Sequence, residues 1–196
     1  DLERKISGAF VQDPKATKML GRHEWIFDCD ATSLYPSVIM TLNISPETKI
    51  GKIQNWSSID KFFADKPHRV HLMQRNGKVK IYNFDDFIHA IQSENYSISA
   101  NGVLYKQDEI GLIPSILMNW FDQRVEYRKL AKEAGLKGDK ATYHYYDKRQ
   151  LVQKILLNSM YGVLGNAGFR FYDTDNAEAV TTSGVQLIKF SAATGN

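Results

Sequence analysis

The chain has only one cysteine, Cys29, and five prolines among its 196 residues. A single cysteine cannot form a disulfide within the chain, which favours a reducing, intracellular setting. No apolar run approaches the roughly 18 residues needed to span a bilayer, and no signal peptide opens the sequence. The sequence therefore argues against a disulfide-stabilised secreted domain and a membrane protein, and we expect a soluble, intracellular protein without membrane contacts.

An excess of charge of one sign is also absent. The chain has 25 basic and 22 acidic residues and a net charge of +3, which permits a nucleic-acid partner but does not require one. Hydrophobic residues make up 43% and aromatic residues 12% of the chain, enough for one ordinary domain or a large piece of a bigger protein. Because the sequence begins within a polar, helix-like stretch and stops without an evident last element, we expect a piece of a longer protein.

The first 112 residues predict a mixture of strands and short helices. Residues 24–30 are typical of a strand that ends at Asp30. Two Asn-Gly pairs, Asn76–Gly77 and Asn101–Gly102, predict the turns of two hairpins. The other expected elements are apolar structure at 37–42 (with the start of a helix as one option), a loop at 43–51, and short helices at 57–66 and 84–93.

The second half of the chain changes to helical periodicity. Apolar residues recur at helical spacing over residues 114–133, and a second helix is predicted over 143–162, with a break near Gly135 and Gly138. We expect the two helices to form an antiparallel hairpin, followed by a strand at 168–173 and a helix at 176–190. Helices inserted between sheet-forming stretches predict an α+β fold.

The predicted helical hairpin carries a stripe of polar and basic side chains. Arg124 and Arg128 are four residues apart on the first helix, so they share one face. On the second helix one stripe is formed by Gln150, Lys154, Asn158 and Tyr161. Leu151, Ile155 and Leu156 flank this stripe and can face a core. If the helices pair, the three cations Arg124, Arg128 and Lys154 converge on a cleft that suits phosphate groups. The alternative is an ordinary solvated helix face.

Two motifs in this order resemble family B DNA polymerases. The stretch "DATSLYPS" at 30–37 resembles their motif A, and "KILLNSMYG" at 154–162 resembles their motif B. Further stretches, such as "NISPET" and "FDQRVEYRK", are similar to the replicative polymerases of T-even-type bacteriophages. The resemblance implies a partial polymerase palm, an antiparallel sheet with helices, into which a two-helix antiparallel fingers hairpin is inserted. The implied domains are the N-terminal palm at 1–112, the fingers at 113–165 and the return into the palm at 166–196.

The resemblance to motif A assigns roles to residues 30–35. It implies that the carboxylate of Asp30 and the backbone carbonyl of Ala31 hold two divalent ions, for which Mg²⁺ is the natural choice. The turn through Ser33, Leu34 and Tyr35 would offer backbone N–H groups to the β- and γ-phosphates of a dNTP. The ring of Tyr35 would lie under the deoxyribose and leave no space for a 2′-hydroxyl group.

The resemblance to motif B, and to the helix before it, completes the implied site. Lys154 would bind the triphosphate and protonate the leaving pyrophosphate, which makes it a catalytic residue together with Asp30. Arg124 and Arg128 would hold the γ- and β-phosphates, and Asn158 would face the nucleotide. The last two members, Tyr161 and Gly162, would pack against the nascent base pair.

Two-metal chemistry requires a second carboxylate, and the sequence contains candidates for it in Asp173 and Asp175. The stretch "YDTD" at 172–175 lacks the glycine and serine that flank the family's second aspartate, and it follows motif B too soon. We therefore interpret Asp173 and Asp175 as structural or surface acids and expect the second catalytic aspartate beyond Asn196. On this interpretation, the 196 residues alone do not polymerise DNA.

The function implied by the resemblance is template-directed DNA polymerisation in viral DNA replication. The partners would be primer–template DNA and dNTPs, with a sliding clamp and other replisome proteins bound through other regions, and the location would be the host cytoplasm. One alternative is a non-catalytic or split polymerase subunit that binds nucleic acid. A protein-primed polymerase of the same family is a further alternative, but the stretch between the motifs follows the phage replicative pattern.

Overall fold

The computed structural model of the protein describes residues 33–194, which alternate between helices and short strands. The helices in this range are α1 (Leu34–Leu42), α2 (Ile59–Asp65), α3 (Phe84–Ser93), α4 (Leu112–Leu136), α5 (Lys140–Leu164) and α6 (Thr174–Thr194), and the strands are β1 (Lys49–Ile53), β2 (Val70–Gln74), β3 (Val79–Tyr82), β4 (Tyr96–Ile98) and β5 (Val103–Lys106). This mixture confirms the predicted α+β class.

The five strands form one antiparallel sheet in the order β3-β2-β1-β5-β4. The turn between β2 and β3 uses Gly77 at φ 77°, and the turn between β4 and β5 uses Gly102 at φ 78°. Both glycines occupy the left-handed region, where a side chain is disfavoured, so the Asn-Gly prediction of two hairpins is confirmed. The predicted short helices at 57–66 and 84–93 are also confirmed, as α2 and α3.

The described residues form two hydrophobic cores. One core lies between α2, α3 and the sheet, around Phe62 and Phe87. The other lies between α1, α4, α5 and α6, and its fully buried members include Ile39, Leu117 and Val180. The second core matters for function, because it holds the beginning of α1 against the helical hairpin.

Asn43, the residue that ends α1, fixes this helix to the start of α4. It is buried and adopts a left-handed conformation with φ 57°. Its Nδ2 atom donates to the carbonyls of Lys106 and Glu109, each at 2.7 Å, and its Oδ1 accepts from the N–H of Gly111 at 2.8 Å. Because these partners lie at the end of β5 and in its connection to α4, this buried amide helps to fix the position of α4 relative to α1.

The helices α4 and α5 form the antiparallel hairpin that the sequence predicts. Gly138, at φ 73°, makes the turn between them, and the Asp139 side chain accepts from the N–H of Thr142 to cap α5. Gln153 donates to Gln123 at 2.8 Å across the pair, which fixes the register of the two helices. The hairpin is slightly longer than predicted, since α4 continues through Gly135 and α5 begins at Lys140 instead of Tyr143.

Near the end of the hairpin, an aromatic and cationic cluster holds the two helices together. The rings of Tyr127 and Tyr146 stack with their centroids 6.1 Å apart. The guanidinium group of Arg149 lies 5.7 Å from the Tyr127 ring and donates to its hydroxyl oxygen at 3.3 Å. These contacts follow the same register as the Gln123–Gln153 pair.

Three expectations about local structure are wrong. The stretch 43–51 is only partly a loop, because residues 49–51 pair with β2 and β5 as the start of β1. The predicted strand at 168–173 is instead a series of tight turns, in which Asn166, Phe169 and Tyr172 donate to backbone carbonyls three residues earlier. The alternation in this stretch comes from Phe169 and Phe171, which pack against the helical core without any pairing to the sheet.

The third wrong expectation concerns the buried face of α5. Leu151, Ile155 and Leu156 do not face a core but are exposed, at 47%, 56% and 37% of their surface. The buried face carries Leu157, Met160 and Leu164, at helical steps of three and four. Apolar residues on both sides of a helix cannot all face one partner, and the sequence does not say which side is covered.

Helix α6 confirms the predicted helix at 176–190, with a few more residues at each end. Within residues 33–194, no helix is both long enough and apolar enough to cross a membrane.

Candidate functional site

The site begins at the N-terminus of α1, which directly follows Ser33. Ser33 adopts a left-handed conformation (φ 53°, ψ 52°), which is uncommon for a residue other than glycine. Its carbonyl accepts the first helical hydrogen bond, from Ser37, and its hydroxyl does not cap the helix. The N–H groups of Leu34 and Tyr35 therefore lie in the first turn, where a helix leaves its donors unpaired and favours a negative charge. This end of α1 is suited to binding an anion.

Arg124 of α4 adds a cation to this helix end. Its Nη1 lies 3.5 Å from the hydroxyl oxygen of Ser33. Burial lowers the pKa of Arg124 below its ordinary value, and the positive charge of Arg128 lowers it further. Within the described part of the chain, the Nε atom of Arg124 is buried and has no hydrogen-bond partner. A desolvated guanidinium group with an unsatisfied N–H is costly without an acceptor, so this geometry favours an anionic ligand.

Tyr35 lies between two elements of the helical core. Its ring centroid is 4.7 Å from that of Tyr161 on α5, and the ring planes are tilted by 52°. On another side it faces Gly184 of α6, where an added Cβ atom would lie 3.1 Å from the Tyr35 Cε1 atom. Burial raises the pKa of Tyr161, and the neighbouring Tyr35 raises it further. Two predicted site residues from distant motifs are thus brought into direct contact.

The other predicted residues on the hairpin lie at the surface. Arg128, Lys154 and Asn158 are exposed. Lys154 directly follows Gln153, which the hairpin register places opposite Gln123 and hence at the level of Arg124. Lys154 and Arg124 thus lie at the same level of the hairpin, while the convergence of Arg124, Arg128 and Lys154 on one cleft stays a prediction.

Gly162 is exposed and has open space in front of it. A Cβ atom added there would meet no other atom within 4 Å. Packing within the described residues therefore does not require a glycine at this position. A residue without a side chain still leaves room for another molecule to approach the backbone.

The predicted metal ligands Asp30 and Ala31 lie outside the described residues. Within residues 33–194, no group of three or more acidic, histidine or cysteine side chains has the arrangement of a metal site. Asp30 and Ala31 come only a few residues before the N-terminus of α1 in the chain, and a carboxylate and a carbonyl oxygen are the donor types that suit Mg²⁺.

Asp173 and Asp175, interpreted as structural acids, make ion pairs with β1. Lys49 lies 2.8 Å from Asp173 and 3.1 Å from Asp175, and Lys52 lies 2.8 Å from Asp175. Burial raises the pKa of Asp175, but the hydrogen bond from Lys52 and the charges of both lysines outweigh burial and leave this pKa below its ordinary value. These contacts support the structural interpretation, because they attach the beginning of α6 to the sheet.

Sequence reasoning missed one residue of the site, Gly184. It lies far from both motifs in the chain, and its role is visible only from the atoms it approaches. The one signal in the sequence is a glycine in the middle of a predicted helix, where this residue costs about 1 kcal/mol relative to alanine and often has a packing reason.

Comparisons with known proteins find relatives that cover nearly the whole chain. The family model described as "DNA polymerase family B" matches residues 2–194. The chain is 28% identical to the DNA-directed DNA polymerase of Escherichia phage RB69 and 29% identical to that of Enterobacteria phage T4, with 93% and 97% of the chain covered. It is also 30% identical to DNA polymerase 1 of Pyrococcus abyssi over 95% of the chain. The chain spans 23%, 24% and 18% of the length of these three relatives.

A solved structure supports the fold. The family B DNA polymerase from the archaeon Pyrobaculum calidifontis aligns with 83% of the chain at a TM-score of 0.53 and 23% identity, and the chain covers 17% of that protein. At this level of identity the comparison shows a shared fold.

Proposed function

The chain belongs to family B of the DNA polymerases, and from this premise we propose that it contributes the dNTP-binding part of a template-directed DNA polymerase, one that acts in viral DNA replication. The reaction is the attack of a primer 3′-hydroxyl on the α-phosphate of a dNTP, with release of pyrophosphate. The substrates are primer–template DNA and dNTPs. The chain spans about a quarter of the length of the phage relatives, so the proposal concerns a segment that works within a longer enzyme. Binding of a sliding clamp stays a prediction.

One observation carries the proposal: beside the N-terminus of α1, the buried Nε atom of Arg124 has no hydrogen-bond partner among residues 33–194. We assign the γ-phosphate to Arg124 and the first-turn N–H groups of α1, with Arg128 on the β-phosphate. Phosphate oxygens would satisfy the buried Nε donor of Arg124 and would offset the repulsion between the two arginines. A solvated helix face, the alternative considered for this stripe, does not account for a buried donor that finds no acceptor among the residues the structure describes.

Lys154 completes the phosphate site from the second helix of the hairpin. In the structure it is exposed, at the level of Arg124, so a modest closure of the hairpin over the nucleotide would bring it to the triphosphate. There it would neutralise charge and give a proton to the leaving pyrophosphate. Asn158, one turn further along α5, would face the nucleotide in the same closed state.

Asp30 and the carbonyl of Ala31 would hold the divalent ions. When bound, Mg²⁺ would lower the pKa of the primer hydroxyl and neutralise charge on the phosphates. Asp30 precedes Ser33 by three residues, so its carboxylate belongs to the segment that leads directly into the anion-binding end of α1.

Tyr35 and its neighbours would select the sugar and test the base pair. The Tyr35 ring, fixed between Tyr161 and Gly184, would fill the space that a ribose 2′-hydroxyl needs. Tyr161, together with the open backbone at Gly162, would form the surface against which the nascent base pair packs. These roles require the ring positions that the helical core enforces.

The test uses a chimera in which residues 2–194 replace the matching segment of the RB69 polymerase, hereafter the RB69 chimera. We expect it to extend a primer with dNTPs and Mg²⁺, and we expect Asp30→Asn to abolish extension while primer–template binding is kept. An RB69 chimera that folds and binds primer–template but neither extends it nor binds a dNTP would favour the non-catalytic alternative. Full activity of Asp30→Asn would contradict the proposed role of this carboxylate.

A further inference from the structure

Tyr35, the proposed sugar-selecting residue, packs against α6 at a point where α6 has no side chain. Gly184 lies in the interior of α6 and is buried. The stripe that includes it continues through Val180 and Ala177, both fully buried beside α1. Glycine is the least favourable residue for a helix interior apart from proline, so its presence here calls for a steric reason.

The steric reason is the ring of Tyr35. A Cβ atom at position 184 would lie 3.1 Å from Cε1 and 3.5 Å from Cδ1 of this ring, and 3.7 Å from Cδ2 of Leu34. The shortest of these distances is tighter than an ordinary carbon–carbon contact, so one side would have to move by a few tenths of an ångström. The other two distances are ordinary contacts.

Helix α6 is poorly able to give way. Ser183, the residue before Gly184, accepts a hydrogen bond from the N–H of Ala100 at 3.0 Å. At the start of α6, the ion pair between Asp175 and Lys52 and the hydrogen bond from Asn101 to the Asp175 carbonyl attach the helix to the sheet. These contacts hold α6 at the beginning and at the end of its first three turns. An added methyl group at position 184 would therefore displace the Tyr35 ring instead of the helix.

We infer that Gly184 is a specificity-determining positioning residue, which keeps the ring of Tyr35 where it excludes a 2′-hydroxyl group. This inference rests on the proposed function of Tyr35 and extends it to a helix that neither motif contains. Gly184 does not touch the nucleotide but acts through the Tyr35 ring. On its other side this ring packs against Tyr161 of α5, with the ring centroids 4.7 Å apart. Any displacement of the ring opens part of the space that it fills.

The substitution Gly184→Ala should therefore weaken discrimination between dNTPs and rNTPs. A misplacement of about 1 Å at an active site can cost on the order of 100-fold. A shift of a few tenths of an ångström should lower the discrimination ratio by about threefold to tenfold. A merely structural role would change protein yield and stability but would leave this ratio unchanged.

The experiment compares four RB69 chimeras: the unsubstituted one, Gly184→Ala, Tyr35→Ala and the double variant. Equilibrium binding of a dNTP and the matching rNTP is measured on a primer terminated with a dideoxynucleotide, so the readout does not depend on turnover. We expect Gly184→Ala to lower the discrimination ratio alone but to have no further effect in the Tyr35→Ala background, because the ring that the added Cβ atom would displace is then gone.

Gly135→Ala is the matched control. Gly135 also lies in a helix, but an added Cβ atom would meet only the Tyr143 ring at 3.4 and 3.8 Å, which are ordinary contacts. This variant should bind both nucleotides like the unsubstituted chimera. If Gly184→Ala misfolds, removal of the Tyr35 ring in the double variant should restore folding, because the tight contact is with that ring. A double variant that also misfolds would overturn the inference.

The outcomes separate the inference from the proposal on which it rests. If Tyr35→Ala leaves the discrimination ratio unchanged, or if the unsubstituted chimera binds no nucleotide, the proposed function of Tyr35 fails and the inference with it. If Tyr35→Ala lowers the ratio but Gly184→Ala behaves like Gly135→Ala, only the inference about Gly184 is overturned. A further drop in the ratio from Gly184→Ala in the Tyr35→Ala background would also overturn it.

Discussion

The substitution Arg124→Met should stabilise the protein while it weakens nucleotide binding. Methionine matches arginine closely in helix propensity and reach, so the change removes mainly the charge and the N–H donors. Within the described part of the chain, the Nε donor of Arg124 is buried without an acceptor, and the charge of Arg128 lies nearby. Both features are unfavourable in the protein without ligand, and both disappear in the variant.

The size of the stability effect follows from three contributions. Removing a buried unsatisfied donor gains about 1–3 kcal/mol, and the lower end applies because Arg124 is only partly buried. Relief of the repulsion between like charges four residues apart adds about 0.2–0.5 kcal/mol. The lost contact with Ser33, at 3.5 Å, is long for a hydrogen bond and contributes about 0.5 kcal/mol at most. The free energy of unfolding should rise by about 1 kcal/mol.

The binding effect has the opposite sign. A hydrogen bond from an arginine to a charged oxygen contributes about 1.5–3 kcal/mol. Its loss should weaken dNTP affinity by about 10- to 150-fold. The assay is a thermal unfolding curve and a dNTP titration on the RB69 chimera, in which the midpoint should rise by about 2–4 °C if this segment unfolds as one cooperative unit.

Lys132→Met is the matched control for Arg124→Met. Lys132 lies on the same face of α4 and is also four residues from Arg128, but it is exposed. This variant should therefore raise the midpoint only slightly, through the lost charge repulsion, and should leave the dNTP affinity unchanged. A lower midpoint for Arg124→Met would refute the conclusion that the buried Nε donor of Arg124 destabilises the protein without ligand. An unchanged dNTP affinity would refute its assignment to the triphosphate.

Three further predictions concern other parts of the chain. Lys154→Ala should weaken dNTP binding and slow the chemical step in single-turnover assays of the RB69 chimera, whereas normal kinetics would rule out its proposed phosphate contact. The depressed pKa of Asp175 implies a stabilising contribution that is fully present above its ordinary pKa of 3.8 and is lost as the pH falls through the lower pKa of the folded protein. In urea unfolding between pH 2 and 6, the free energy of unfolding should therefore fall less steeply with decreasing pH for Asp175→Asn than for the unsubstituted protein. An equal fall would show that the ion pairs contribute nothing. Arg149→Ala should speed amide hydrogen exchange in α4 and α5 around Tyr127. The control Lys80→Ala, which removes a cation 4.7 Å from the Tyr82 ring on the sheet, should leave exchange in α4 and α5 unchanged. Equal effects of the two variants would refute the role of Arg149 in joining the helices.

Local patterns predict most of the fold because each depends on a few neighbouring residues. Asn76–Gly77 and Asn101–Gly102 give the hairpins, since only glycine readily adopts the conformation that each turn needs. Helical spacing gives α4, α5 and α6. The same reasoning fails at 168–173, because alternation predicts a strand wherever it occurs, whereas a strand also needs a partner and Phe169 and Phe171 face a helical core instead.

The candidate site is only partly predictable from the sequence. The motifs give the residue types and the order of Ser33, Tyr35, Arg124 and Lys154, but not the burial of the Arg124 Nε atom. Burial depends on how α4 packs beside α1, which the side chain of Asn43 helps to fix across 68 residues of chain. The contact of Gly184 with Tyr35 cannot be predicted from the sequence either, because it depends on how α6 packs beside α1.

The most direct test of the central claim is a structure of the RB69 chimera with primer–template, a dNTP and Mg²⁺. The claim predicts the γ-phosphate within hydrogen-bonding distance of Arg124 and of the backbone N–H groups at the start of α1. It also predicts that Lys154 contacts the same triphosphate and that the Asp30 carboxylate binds Mg²⁺. A triphosphate bound elsewhere, with the Arg124 Nε atom still lacking an acceptor, would contradict it.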